Sequence, residues 1–164
     1  MKRLEFTTRI QASRDKVWQT LWGHETYPLW TAAFHEGSTA ITDWHVGSKV
    51  LFETPEGDGM YSVIDQSVPK EYMSFRHIGE LKAGKELPID ERTKEWSGAM
   101  ENYTLKEIVG GTELFVDVEI SDQFAEMMGA AFPDALENLK MLCENGVTGD
   151  VISKLKKNSG KVAS

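Results

Sequence analysis

Few residues of this chain fall in a pattern that chemistry requires, and the best placed is a glutamate among aromatic residues. The stretch 96–105 reads Trp-Ser-Gly-Ala-Met-Glu-Asn-Tyr-Thr-Leu. Tyr103 and Leu105 have the alternation of an inward strand face, and Glu101 falls on the same face. A carboxyl group on an apolar face can hold the polar head of a ligand or work as acid or base. The plain alternative is a glutamate at a strand end, solvated or paired with a surface Lys or Arg. In 71–78, Tyr72, Ser74, Arg76 and Ile78 share one face and Met73, Phe75 and His77 the other. The sequence leaves open which face is inward. Glu101 and His77 are the candidate catalytic residues, and Arg76 is an alternative partner.

Other chemistries lack their patterns. The four histidines, His24, His35, His45 and His77, form no pair at the spacing that brings two imidazoles to one metal. No metal and no cofactor is expected. Cys143, the one cysteine, falls near the end of a helical stretch, where the helix dipole disfavours a thiolate. No Gly-x-Ser-x-Gly elbow occurs. Gly110-Gly111 separates two strand patterns and reads as a hairpin, not as a phosphate loop.

Composition narrows the partners. With 164 residues the chain suits one domain, and 40% hydrophobic residues suffice for a core. The 26 acidic residues outnumber the 18 basic ones, giving a net charge of −8. That surface repels phosphate backbones and anionic membranes, so nucleic acid is not an expected partner. No run is long enough to insert in a bilayer, and no apolar leader opens the sequence. With a single thiol, the expectation is a cytoplasmic protein, monomer or homodimer.

The elements that position these residues can be read in order. Residues 3–10 alternate as a half-buried strand. Ser13 suits an N-cap for a helix in which Val17, Trp18, Leu21 and Trp22 form one face, ended by Gly23. A second short helix is expected around 24–30, with Pro28 in its first turn. Strands follow at 38–44, 49–54, 59–66 and 71–78. A long polar loop is expected over 79–97, with mixed charge and the possible role of a lid anchored by Trp96. Strands at 100–109 and 112–120 close the series. From Asp122, a suitable cap, a long helix carries Phe124, Met128, Ala131, Ala135, Leu139 and Leu142 on one face. Pro133 is expected to kink or divide it. The domain is placed at 1–146. Residues 147–164 are expected to form a short helix or frayed tail whose Lys154, Lys156, Lys157 and Lys161 are solvated.

This order, and three passages within it, resemble the SRPBCC superfamily of START-related and birch-pollen-allergen-like domains. The passages are Ile10 through Trp18, Gly59 through Phe75 with its Val68-Pro69 turn, and Phe132-Pro133 through Glu144. They are most similar to the family named for the C-terminal domain of the activator of the heat-shock-protein-90 ATPase, with Phe132 where that family usually has Trp. The resemblance covers about residues 3–145. It implies an α+β helix-grip fold: a curved antiparallel sheet wrapped around a long C-terminal helix, with two short helices after the first strand. It also implies an internal apolar cavity, whose mouth the second short helix borders. The ligand-binding candidates are Trp30, Phe34, Phe75, Trp96, Glu101, Tyr103, Met127, Met128 and Ala131. The leading expectation is a module that binds a small apolar or amphipathic molecule rather than an enzyme. The alternatives are a polyketide cyclase- or dehydratase-like enzyme using a cavity carboxylate, and a chaperone-associated protein.

Overall fold

Alternation of apolar and polar residues generates most of this fold. The computed structural model describes residues 1–159. Strand β1 (Lys2–Ile10) turns Leu4, Phe6, Thr8 and Ile10 inward. It leads into α1 (Arg14–Trp22), whose first turn is capped by the Ser13 hydroxyl accepting from the Lys16 amide. Helix α1 buries Val17, Leu21 and Trp22. A tight turn follows, in which the Thr26 hydroxyl donates to the Thr20 carbonyl at 2.7 Å. Short α2 (Tyr27–Trp30) and a 3-10 turn over Thr31–Ala33 complete the insertion.

The remaining strands are β2 (Thr39–Ile41), β3 (Lys49–Glu53), β4 (Gly59–Val68), β5 (Tyr72–Lys82), β6 (Lys85–Glu86), β7 (Met100–Ile108) and β8 (Gly111–Ile120). All pairings are antiparallel, in the order β1-β8-β7-β5-β4-β3-β2, with β6 paired to β5. Helix α4 (Asp122–Asn145) packs along the sheet's inner face and against α1 and α2; α3 (Glu91–Lys94) lies earlier, between β6 and β7. Phe132 anchors α4, with its ring 4.8 Å from Phe6 in a stack and 4.8 Å from Phe34 edge-on. A bent antiparallel sheet holding one long helix is the helix-grip arrangement that the sequence pattern implies.

Three sequence expectations change. The stretch 79–97 is not one loop: β5 continues through Lys82, β6 pairs back on it, and α3 is capped by the Asp90 carboxylate accepting from the Thr93 amide. Nor does it lie as a lid over the concave face. Tyr61, the neighbour of inward Ser62, points to the convex side, where its ring occupies the space a side chain at Gly79 would need and its hydroxyl donates to the Leu87 carbonyl. The second change concerns α4, which Pro133 does not divide: one helix runs from Asp122 to Asn145. Proline removes a single helical bond there, the one to the Gly129 carbonyl, and its ring sits on the exposed side. The inward residues Phe132, Ala135 and Leu136 keep the helix on the sheet across that gap. Third, the residue flanking α4 as its cap is Ser121, and Asp122 lies within the first turn.

Beyond α4, α5 (Gly149–Lys154) buries Val151, and Leu155 joins the core. Lys161 lies outside the described residues. The fully buried Asn138 of α4 fastens this segment. Its carboxamide donates to the Lys156 carbonyl at 2.8 Å and to the Trp30 carbonyl at 3.3 Å, and accepts from the Lys156 amide at 2.8 Å. Asn138→Ala leaves those backbone groups without partners and is expected to cost about 1–3 kcal/mol. Urea unfolding should report that loss, and limited proteolysis should cut within 147–159 faster than in the parent protein. An unchanged midpoint would contradict this role.

Candidate functional site

The concave face carries one charged side chain among rings, and strand register explains how it is placed. On β7, Glu101 sits opposite Phe75 of β5 and Val118 of β8. Alternation puts Tyr103 and Leu105 on its face, and both are buried. On β5 the inward set is Met73, Phe75 and His77. This resolves the parity that the sequence left open, and it turns Arg76 outward, where its guanidinium meets Asp65 at 3.6 Å. Between β4 and β5 the register shifts at Tyr61/Ser62, so Ile78 is an extra residue and His77 is set opposite Ser62.

A continuous hydrogen-bonded chain results. Ser62 Oγ lies 2.7 Å from His77 Nδ1, and His77 Nε2 lies 2.9 Å from Glu101 Oε1. The Tyr103 hydroxyl donates to Glu101 Oε2 at 2.5 Å. With the hydroxyl of Ser62 donating to Nδ1, the imidazole presents Nε2–H to the carboxylate. Serine, histidine and an acid in a row suggest a nucleophilic triad, but accessibility argues for the opposite assignment. Ser62 is fully buried and cannot meet a substrate. The Glu101 side chain keeps 20% of its surface exposed, against 6% for His77. Ser62 therefore fixes the ring, the ring and Tyr103 hold the carboxylate, and the Glu101 side chain is the more accessible end of the chain.

Rings surround this chain. Trp22 stands edge-on to Tyr103 at 5.0 Å and to Phe75 at 5.3 Å. Phe52 packs on Phe75 at 5.2 Å and on the His77 ring at 5.9 Å. Trp30 is buried on Tyr103 at 6.3 Å and donates its indole N–H to the Leu21 carbonyl. Trp44 reaches in from the loop before β3, 5.5 Å from Trp22, with a backbone φ of 66°. A bulky side chain in that region is strained by about 1–2 kcal/mol, which its ring contacts offset. The indole nitrogen of Trp22 is a buried donor without a hydrogen-bond partner among the described residues. Tyr27, at the start of α2, sits within range of the Glu101 charge. Burial of its phenol, and then that charge, push its ionisation well above the usual tyrosine range. Burial likewise raises Tyr103, reinforced by the Glu101 charge and by the hydrogen bond to it.

The other expected site residues are scattered. Trp30, Phe75 and Tyr103 belong to the buried ring cluster, with Phe34 at its margin. Met128 packs against the core, whereas Met127 is 54% exposed and Ala131 is half-buried. Trp96 is half-buried and stands outside the core cluster. The roomy interior expected between sheet and helix is occupied at its centre by Trp22, Trp30, Phe75 and Tyr103. Two hollows, of about 490 and 360 Å³, lie instead beside α1 with Gly23 and at the β1 end near Gly110. Gly129, in the first half of α4, is half-buried, and a side chain placed there would meet nothing within 4 Å. Helix α4 starts two residues after β8 ends at Ile120, so its first turns lie at the sheet end where Val118 pairs with Leu4 and Glu101.

Cys143 is buried, and loss of solvation pushes its thiol up to about 11, so it has no nucleophilic role. Among the described residues no group of His, Cys, Asp and Glu could hold a metal ion. Ser62, Tyr27, Trp22, Trp44 and Phe52 were not singled out from sequence. Alternation over Met60, Ser62 and Ile64 carried the only signal for Ser62.

No family model matches the sequence, and no curated protein matches it. Solved structures do match. The Aha1 dimer from Colwellia psychrerythraea superposes with a TM-score of 0.68 at 20% identity, covering 90% of this chain and 100% of that one. DynU16, from the dynemicin biosynthetic locus, gives 0.66 at 16% identity over 89% of this chain and 48% of its own. CalU16 from Micromonospora echinospora gives 0.62 at 17% identity over 92% and 80%. At these identities the likeness is one of fold.

The raised tyrosines set the alkaline behaviour. An unfolded tyrosine ionises near pH 10. Tyr27 and Tyr103 keep their protons to higher pH when folded, so their contribution is complete below pH 10 and is lost as pH rises above it. Thermal melts should show stability falling above pH 10 by up to about 1.4 kcal/mol per pH unit for each of these tyrosines. Tyr103→Phe should lower stability at neutral pH by about 1.5–3 kcal/mol and flatten the alkaline fall. A variant with the parent's alkaline slope would contradict the assignment.

Proposed function

We propose that this helix-grip domain binds a small apolar or amphipathic molecule on its concave face, with Glu101 as the polar anchor and the aromatic cluster as the apolar wall. One observation carries the reading. Glu101 is held from two sides by Tyr103 and His77, amid rings, yet a fifth of its side chain is left uncovered. A carboxylate whose position is fixed before a ligand arrives loses little freedom on binding. Since rings fill the centre, the ligand approaches the uncovered side of Glu101 and displaces side chains there instead of occupying a ready-made chamber. The adaptable Met128 and the strained Trp44 are the side chains suited to move.

The convergence of Glu101, His77 and Tyr103 supports a second reading, acid–base catalysis of the cyclase or dehydratase kind. Such chemistry needs two polar groups within reach of one substrate. Glu101 would move the proton, and Tyr27, kept protonated by burial, would polarise a carbonyl. Two structural neighbours belong to other settings, one being a dimer and one coming from a biosynthetic locus. A homodimer or a chaperone contact for this chain has no comparable geometric support.

A thermal-shift screen of fatty acids, aromatic compounds and polyketides tests the binding reading. Hits should raise the melting temperature, quench tryptophan fluorescence through Trp22 and Trp44, and lose at least about tenfold in affinity, or ~1.4 kcal/mol, in Glu101→Gln. A screen without hits, or hits equally bound by Glu101→Gln, would overturn it. Turnover of a bound compound that stops in Glu101→Gln would favour the catalytic reading.

A further inference from the structure

We infer that the head group recognised at Glu101 is an organic ammonium carried on an apolar or aromatic body. This rests on the reading of the concave face as a ligand site, and it adds the sign and hydrogen-bonding character of what binds there.

The direction of the hydrogen bonds makes the first argument. The donors next to Glu101 already point at it: the Tyr103 hydroxyl at Oε2 and His77 Nε2 at Oε1, with the Ser62 hydroxyl engaged on the far side of the imidazole. None of these three is left over for an incoming acceptor. The carboxylate itself has two oxygens with about four acceptor positions, of which the protein fills two. What the anchor offers to the uncovered side is acceptor capacity and negative charge. Those are the needs of an N–H donor, and best of a cationic one.

Charge placement makes the second. The inward neighbours of Glu101 are Phe75, His77, Tyr103 and Val118, none of them a lysine or arginine. The basic residues of the surrounding strands face the other way. Arg76 meets Asp65 at 3.6 Å, Lys49 meets Glu86 at 2.6 Å, and Lys106 is exposed. No lysine or arginine of the protein therefore neutralises the carboxylate, and His77 does so only with a proton on both ring nitrogens. A ligand carboxylate or phosphate would face Glu101 unscreened. An ammonium would instead supply the missing countercharge, with the rings of Phe75, Phe52, Tyr27 and Trp22 close by to favour a cation. The net charge of −8 acts in the same direction at long range.

One buried donor remains without a hydrogen-bond partner among the described residues, the Trp22 indole nitrogen. It allows a neutral acceptor elsewhere on the ligand, such as an ether or carbonyl oxygen. It does not substitute for a cation at Glu101.

The test compares three probes that share one body and differ in the head: 2-phenylethylamine, 2-phenylethanol and phenylacetate. Isothermal titration on the intact protein at neutral pH and low salt should show the amine binding at least tenfold more tightly than the alcohol and no detectable binding of phenylacetate. Added salt should weaken the amine, and Glu101→Gln should bring amine and alcohol to within about twofold of each other. The comparison of heads on the parent protein does not depend on how well the variant folds. Alcohol or phenylacetate binding as tightly as the amine would overturn the ammonium assignment while leaving a small-molecule site at Glu101 in place. An amine preference that survives Glu101→Gln would also overturn it. Failure of all three probes to bind, together with an empty screen, would remove both the assignment and the site.

Discussion

A carboxylate kept among aromatic rings is the constraint from which the rest of this site follows. Moving an ion out of water is costly unless hydrogen bonds replace its hydration. Glu101 is served by the Tyr103 hydroxyl and His77 Nε2, and His77 is in turn fixed by Ser62. Each partner needs its own strand position: Glu101 and Tyr103 two residues apart on β7, His77 across on β5, Ser62 one strand further on β4. The extra residue at Ile78 brings the last two into line. Four polar groups on three strands thus form one unit, with rings packed around it.

The helical elements close the same volume from above. Helix α1 delivers Trp22, the short α2 delivers Tyr27 and Trp30, and α4 lies over the β1 side through Phe132. The packing is uneven. From Phe132 onward α4 is pinned by large side chains and by Asn138, whereas its first turns expose Phe124 and Met127.

Much of this architecture was legible in the sequence because it depends on periodicities. Alternation in 3–10, 100–109 and 112–120 located strands and put Glu101 on the same face as Tyr103. Spacings of three and four located α1 and α4, and the order of elements carried the resemblance to helix-grip domains. What could not be read depends on register and on side-chain competition. Periodicity says nothing about which β5 residue faces Ser62, since a single bulge decides it. It did not show that Arg76 faces outward to Asp65. The continuity of α4 through Pro133 rests on tertiary packing on both sides of one missing bond, which a local rule does not see. The filled centre of the concave face is likewise a matter of ring volume, because aromatic residues expected to line a chamber, Trp30, Phe75 and Tyr103, also have the bulk to occupy it.

Glu101 is an acceptor held in place by donors, and the protonation of the His77 ring is the property that reports on this. Two-dimensional ¹H–¹⁵N spectra tuned to imidazole nitrogens distinguish the two ring positions. The expected spectrum shows a proton on Nε2, hydrogen-bonded to the carboxylate and perturbed by Glu101→Gln. A neutral ring with its only proton on Nδ1 would set two acceptors against each other at 2.9 Å and would contradict it.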